Sequence, residues 1–158
     1  MANPRVIEGG RSAKGLRIAI VAARFNHFVV DKLVAGAQET LMAAGISSQD
    51  LDIVRVPGAY EIPLAASKLA VSRNYDAIIV LGAVIRGGTP HFDYVCSECA
   101  RGVTEVSLET GIPVLFGVLT CDDMEQATDR AGGKHGNKGA DAALAAIEMA
   151  TLLPKLGV

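Results

Sequence analysis

No stretch of this sequence approaches the ~20 consecutive apolar residues that a membrane-spanning helix needs. Nor does it contain a Lys/Arg-rich run: 15 Lys and Arg stand against 17 Asp and Glu, for a formal net charge of -2. Without a basic stripe, nucleic acid is not an expected partner. The opening Met1-Ala2-Asn3-Pro4-Arg5 lacks the apolar core of a signal peptide, which makes the cytoplasm the default compartment. Tryptophan is absent, and the three cysteines, Cys96, Cys99 and Cys121, are too few for a disulfide framework. Cys96 and Cys99 form a C-x-x-C pair, but no second Cys/His pair completes a zinc site, so no metal is expected. Phe92, Cys96, Cys99, Val103 and Val106 fall on one helix face, where a free thiol packs as a small apolar group. No linker, repeat or second domain interrupts the chain. Its 158 residues, half of them hydrophobic, suffice for one domain with a substantial core, spanning 1–158 with residues 1–14 as a tail.

What is present is an alternation of strand-like and helix-like runs. Leu16 to Val21 reads as the first strand. Asn26 is placed to cap a helix whose face carries Val30, Leu33, Val34, Ala37 and Leu41, with Gly45 as its stop. Leu51 to Val56 is the second strand, broken by Pro57-Gly58, and a helix runs from about Ala59 towards Ser72. Asp76 to Gly82 is the third strand, followed by a helix to about Thr110, and Pro113 to Leu119 is the fourth. Asp122 with Glu125 has the form of a capping box for a helix ending near Gly132-Gly133, and Asn137 can cap a last, Ala-rich helix. Strands that are apolar throughout are buried on both faces, which implies a parallel sheet between helical layers. The expected fold is therefore a flavodoxin-like three-layer α/β/α sandwich around a four-stranded parallel sheet. Residues 1–14 fit neither period and read as a loose tail or as a strand added to a neighbouring subunit's sheet.

In such a sheet the ligand sits beyond the carboxyl ends of the strands. Three loops meet there: Phe25-Asn26, Gly58-Ala59-Tyr60-Glu61, and Val84-Ile85-Arg86-Gly87-Gly88-Thr89-Pro90-His91. The last carries the most chemistry. Glycines before a helix start let backbone N–H groups close on an anion, with the helix dipole adding partial positive charge. Thr89 is the expected N-cap and Pro90 the first helical residue. Arg86 supplies a cation that either braces the loop through salt bridges or meets the ligand. His91 adds an imidazole, a side chain suited to moving protons. A phosphate cradle with an imidazole beside it points to proton chemistry on a phosphorylated small molecule. Arg130 with Gly132-Gly133-Lys134-His135-Gly136-Asn137-Lys138-Gly139 reads as a helix–helix connection or a second anion site. His27 and His135 read as solvated. A pure binding module could use the same cradle, but it would not need His91 beside it.

These motifs, in order from about Leu16 to Met149, resemble those of the 6,7-dimethyl-8-ribityllumazine synthases. The resemblance implies the penultimate step of riboflavin biosynthesis. In it, 5-amino-6-(D-ribitylamino)uracil condenses with 3,4-dihydroxy-2-butanone 4-phosphate to give the lumazine, phosphate and water. It implies no cofactor, metal or organic. It also implies a homo-oligomer, either a pentamer or an icosahedral capsid of twelve pentamers, with sites between subunits, and riboflavin synthase as a further partner. By the same resemblance Phe25 stacks on the pyrimidine, beside Asn26. Ala59, Tyr60 and Glu61 hold the ribityl chain, and the backbone of Ala83, Val84 and Ile85 reads the pyrimidine edge. Gly88 and Thr89 bind phosphate with Arg130 of an adjacent subunit. Phe116 and Lys138 are offered across the interface, and His91 moves protons.

Overall fold

The computed structural model describes residues 2–157; Met1 and Val158, the ends of the expected domain, lie outside it. The expected alternation is present. Four strands, β1 (Ile18–Ala23), β2 (Leu51–Val56), β3 (Ala77–Ile85) and β4 (Val114–Cys121), pair in parallel in the order β2-β1-β3-β4. Helices α1 (His27–Ala43), α2 (Ile62–Val71), α3 (His91–Thr110), α4 (Met124–Asp129) and α5 (Lys138–Leu152) complete the layers. A single 3₁₀ turn, Ala59–Glu61, precedes α2 where the sequence suggested continuous helix.

The strand period sorts the core into two halves. Ile18, Ile20, Ile79 and Leu81 face α1 and α5, where Leu33, Leu41 and Ile147 are fully buried with them. Ala19, Val21, Ile78 and Val80 face the other way, onto Ile62, Cys99 and Val103 of α2 and α3. Each large side chain so buried contributes roughly 1.5–3 kcal/mol relative to exposure. The all-apolar, doubly buried strand is true of β1 and of most of β3. The sheet's edges depart from it: Asp52, Ile53 and Arg55 of β2 and Phe116 and Thr120 of β4 are exposed. On the first face the helices lie very close. A Cβ on Gly139 would fall 2.0 Å from the Leu33 carbonyl oxygen, so only glycine lets α5 start against α1.

Three local expectations are corrected. The glycine-rich stretch after α4 is not a bare connection between helices. It forms an antiparallel hairpin of β5 (Ala131–Gly133) and β6 (Gly136–Asn137), with Gly132 and Gly136 at φ 100° and 81°. The capping box sits one residue later than expected. Asp123 accepts from the Gln126 N–H at 2.9 Å, while the Gln126 side chain accepts from the Asp122 N–H at 2.8 Å. The third strand continues past Gly82 to Ile85, because β4 ladders it up to Ile85↔Cys121. Asn137 caps α5 as expected, accepting from the Ala140 N–H at 3.0 Å.

Among its described residues the tail forms no strand within its own chain. Its later part is fastened down: the Gly10 N–H donates to Thr151 Oγ1 at 2.7 Å and Lys155 Nζ to the Glu8 carbonyl at 2.6 Å. Residues 2–8 are exposed, with Val6 at 73 %. Among the described residues no helix is long and apolar enough to cross a membrane.

Candidate active site

The three loops converge as expected, over a hollow of about 770 Å³ at the carboxyl end of the sheet. Phe25 enters it from the end of β1, Ala59, Tyr60 and Glu61 from the end of β2, and Ala83, Val84, Ile85, Thr89 and His91 from β3 and the loop beyond. Phe25 is 72 % exposed, so its ring offers a face to the hollow instead of sealing the core. Gly88 lies between the lining residues Gly87 and Thr89, and a Cβ at either glycine would meet nothing within 4 Å. That space lets a ligand approach the backbone closely.

Asn26 does something its sequence position did not suggest. It takes a left-handed conformation (φ 61°) at the start of α1, but its side chain caps no N–H there. Instead Asn26 Nδ2 donates to the Ala83 carbonyl at 2.7 Å. The pairing of β1 with β3 ends at Ala22↔Leu81, so beyond it the β1-facing edge of β3 has no further strand beside it. Asn26 occupies the first acceptor on that edge. Alternation places the N–H and C=O of Ile85 on the same edge, facing the hollow. Thr89 is likewise not the cap of α3. Pro90 is, its carbonyl accepting from the N–H groups of Asp93 at 3.0 Å and Tyr94 at 3.4 Å. His91 is then the first helical residue, exposed at the rim, while the next residue, Phe92, packs inward.

Arg130, Lys138 and Phe116 do not reach this hollow. They line a second one of about 290 Å³ along β4, together with Thr120 and Gln126. Arg130 ends α4, and its guanidinium donates to the Gln126 carbonyl at 3.0 Å. Within one chain, then, the expected phosphate ligands are divided: Thr89 at the first hollow, Arg130 at the second. Arg86 braces the loop through salt bridges. Its Nε donates to Asp122 at 2.9 Å, a terminal nitrogen lies 3.5 Å from Asp93, and the guanidinium sits 4.4 Å over the Phe92 ring. Asp93 and Gln126 were not singled out in the sequence, and Asp122 was read only as a helix cap, although an Asp-x-x-Gln cap at 123–126 was there to be read.

The cysteines pack. Cys99 is fully buried, and burial pushes its thiol up to about 11. Burial also raises Cys96 and Cys121, which makes all three poor thiolates at neutral pH. His27 and His135 are exposed and line neither hollow.

The fold is that of a flavodoxin-like α/β protein, with a hollow of small-molecule size at the carboxyl ends of its strands. Comparison with known proteins narrows the class. The family described as 6,7-dimethyl-8-ribityllumazine synthase matches residues 15–154. The 6,7-dimethyl-8-ribityllumazine synthase of Desulfotalea psychrophila is 60% identical over 153 residues, 97% of this chain and 99% of that protein. The protein of that description from Clostridium kluyveri is 57% identical over 152 residues, 96% of this chain and 99% of its own length. The chain belongs to the 6,7-dimethyl-8-ribityllumazine synthase family.

Proposed function

We propose that this chain is a transferase that condenses 5-amino-6-(D-ribitylamino)uracil with 3,4-dihydroxy-2-butanone 4-phosphate to form 6,7-dimethyl-8-ribityllumazine, the penultimate step of riboflavin biosynthesis. Family membership carries the reaction. The roles within the site rest on the convergence of three loops on one hollow with His91 at its rim. The pyrimidine stacks on Phe25, and the backbone of Ala83, Val84 and Ile85 reads its edge, held in place by Asn26. The ribityl chain lies against Ala59, Tyr60 and Glu61, whose carboxylate accepts from hydroxyls. The phosphate sits over Gly88 and Thr89. The amine attacks the ketone and water leaves as a Schiff base forms; phosphate is then eliminated, and the ring closes with loss of a second water. His91 carries protons between these steps as general acid and base. Holding amine and ketone side by side supplies much of the remaining acceleration.

The division between hollows supports a homo-oligomer. Arg130, Lys138 and Phe116 line a separate hollow on an exposed sheet edge, so in this reading they complete the site of a neighbouring copy. Arginine's planar fork suits phosphate as handle and as leaving group. A pentamer, or a capsid of twelve pentamers, provides such neighbours, and the exposed residues 2–7 are placed to pair with an adjacent sheet. Riboflavin synthase is a fitting partner, since it would consume the product. The cytoplasm suits free cysteines that stay reduced. Mixing the purified chain with both substrates and following lumazine absorbance tests the reaction. A rate above the uncatalysed background is expected; its absence overturns the reading. Native mass spectrometry tests the assembly, and a monomer would remove the shared site.

A further inference from the structure

Between the two hollows runs a continuous set of polar contacts that the roles above do not use. It begins at Arg86, which leaves the end of β3 and stacks over Phe92, the residue after His91. Arg86 Nε binds Asp122 at 2.9 Å. The Asp122 N–H donates to Gln126 Oε1 at 2.8 Å. The Gln126 carbonyl accepts from the Arg130 guanidinium at 3.0 Å, and the Gln126 N–H is tied to Asp123 at 2.9 Å. Four links thus join the first turn of α3, which carries His91, to the end of α4, which carries Arg130.

We infer that Arg86 is a positioning residue for the reaction: through Asp122 and Gln126 it sets Arg130, and through Phe92 and Asp93 it sets the start of α3. Three features favour this over a surface brace. The guanidinium has three partners, Phe92 and Asp93 on α3 and Asp122 in the turn between β4 and α4, so a shift of any one is resisted by the others. It is the cation that pairs with both Asp93 and Asp122, so its loss leaves two carboxylates without that partner beside the loop proposed to meet phosphate. An ammonium cannot reproduce a fork and a stacked plane together, which makes the position specific for arginine. Arg101 of α3 is the counterexample: among the described residues it pairs only with Glu98 and Glu105 of its own helix. The inference rests on the reaction proposed above and on Arg130 meeting phosphate, but not on which copy of the chain uses Arg130.

The test is steady-state kinetics in both substrates for the full chain and for Arg86→Met, Arg86→Lys and Arg101→Met. Arg86→Met is expected to raise KM for the phosphorylated ketone about tenfold, the loss of one good charged hydrogen bond there, and to lower kcat severalfold. KM for the pyrimidine should hold. Arg86→Lys should recover less than half of the KM loss, and Arg101→Met should match the wild type. If Arg86→Met does not fold, Asp122→Asn cuts the same path from the other end and should raise the same KM by a smaller factor. Arg86→Met or Asp122→Asn with wild-type KM and kcat overturns the inference, as does a change confined to the pyrimidine KM. A wild-type chain that forms no lumazine is a different result, and it removes the proposed reaction itself.

Discussion

The two hollows differ in kind. The larger is built within one chain from three consecutive loops, and its walls are mostly backbone and apolar side chains. The smaller is set along an edge strand and has two cations, Arg130 and Lys138, close to Thr120 and Gln126. A flat heterocycle with a polyol chain suits the first. The second has the charge for an anion but little apolar wall to hold the rest of a substrate. The difference teaches that the chain keeps the loop of Gly88 and Thr89 apart from the cations Arg130 and Lys138, so that the phosphate site proposed above needs both hollows.

Substitutions can break that comparison or sharpen it. The largest effect is expected at the rim of the first hollow. His91→Ala should lower kcat by roughly 10²-fold, the usual contribution of one general acid–base, with both KM values near wild type. An unchanged kcat in stopped-flow turnover would take His91 out of the mechanism. Next, Arg130→Ala should raise KM for the phosphorylated ketone by about thirtyfold, in line with ~2 kcal/mol for a charged hydrogen bond. A shift in the pyrimidine KM instead would erase the distinction between the hollows. Phe25→Ala should do the converse, raising KM for the pyrimidine about tenfold through lost stacking while Phe25→Tyr preserves it.

The smallest effect lies beneath the site, in α3. Burial holds the Cys99 thiol protonated up to about 11, above its ordinary 9.0. The folded state therefore retains a proton that the unfolded state has already lost between those values. The stability this gives is complete below about pH 9 and disappears as pH rises through 11. Urea midpoints should fall over that window, on the order of 1 kcal/mol by pH 10, and the slope should flatten in Cys99→Ala. An identical slope in the variant would assign the alkaline loss to other groups.

Much of the first hollow was legible because its determinants are local. Pro57-Gly58 ends a strand whatever surrounds it, and a run from Val84 to His91 places glycines, hydroxyl and imidazole within one loop. Short-range signals failed where two groups compete for the same bond. Asn26 is a sound cap by type, yet the unpaired Ala83 carbonyl is the acceptor its side chain serves. Asp122 and Glu125 fit a capping box, but Asp123 and Gln126 form the hydrogen bonds. The hairpin at Gly132–Gly136 was hidden because two strands of three and two residues are too short to show a period.

By itself the sequence determined the layer order, the parallel sheet and the three loops that line the larger hollow. Hydrophobic period and turn chemistry act over a few residues, and the chain writes them directly. Only the tertiary structure decided that Arg130 stands apart from Thr89, that Asn26 serves β3, and that Arg86 ties α3 to α4. Those outcomes depend on which carbonyls the ladder leaves unpaired and on which side chains meet across 36 or 57 positions of sequence, and distance through space is not written in any local window.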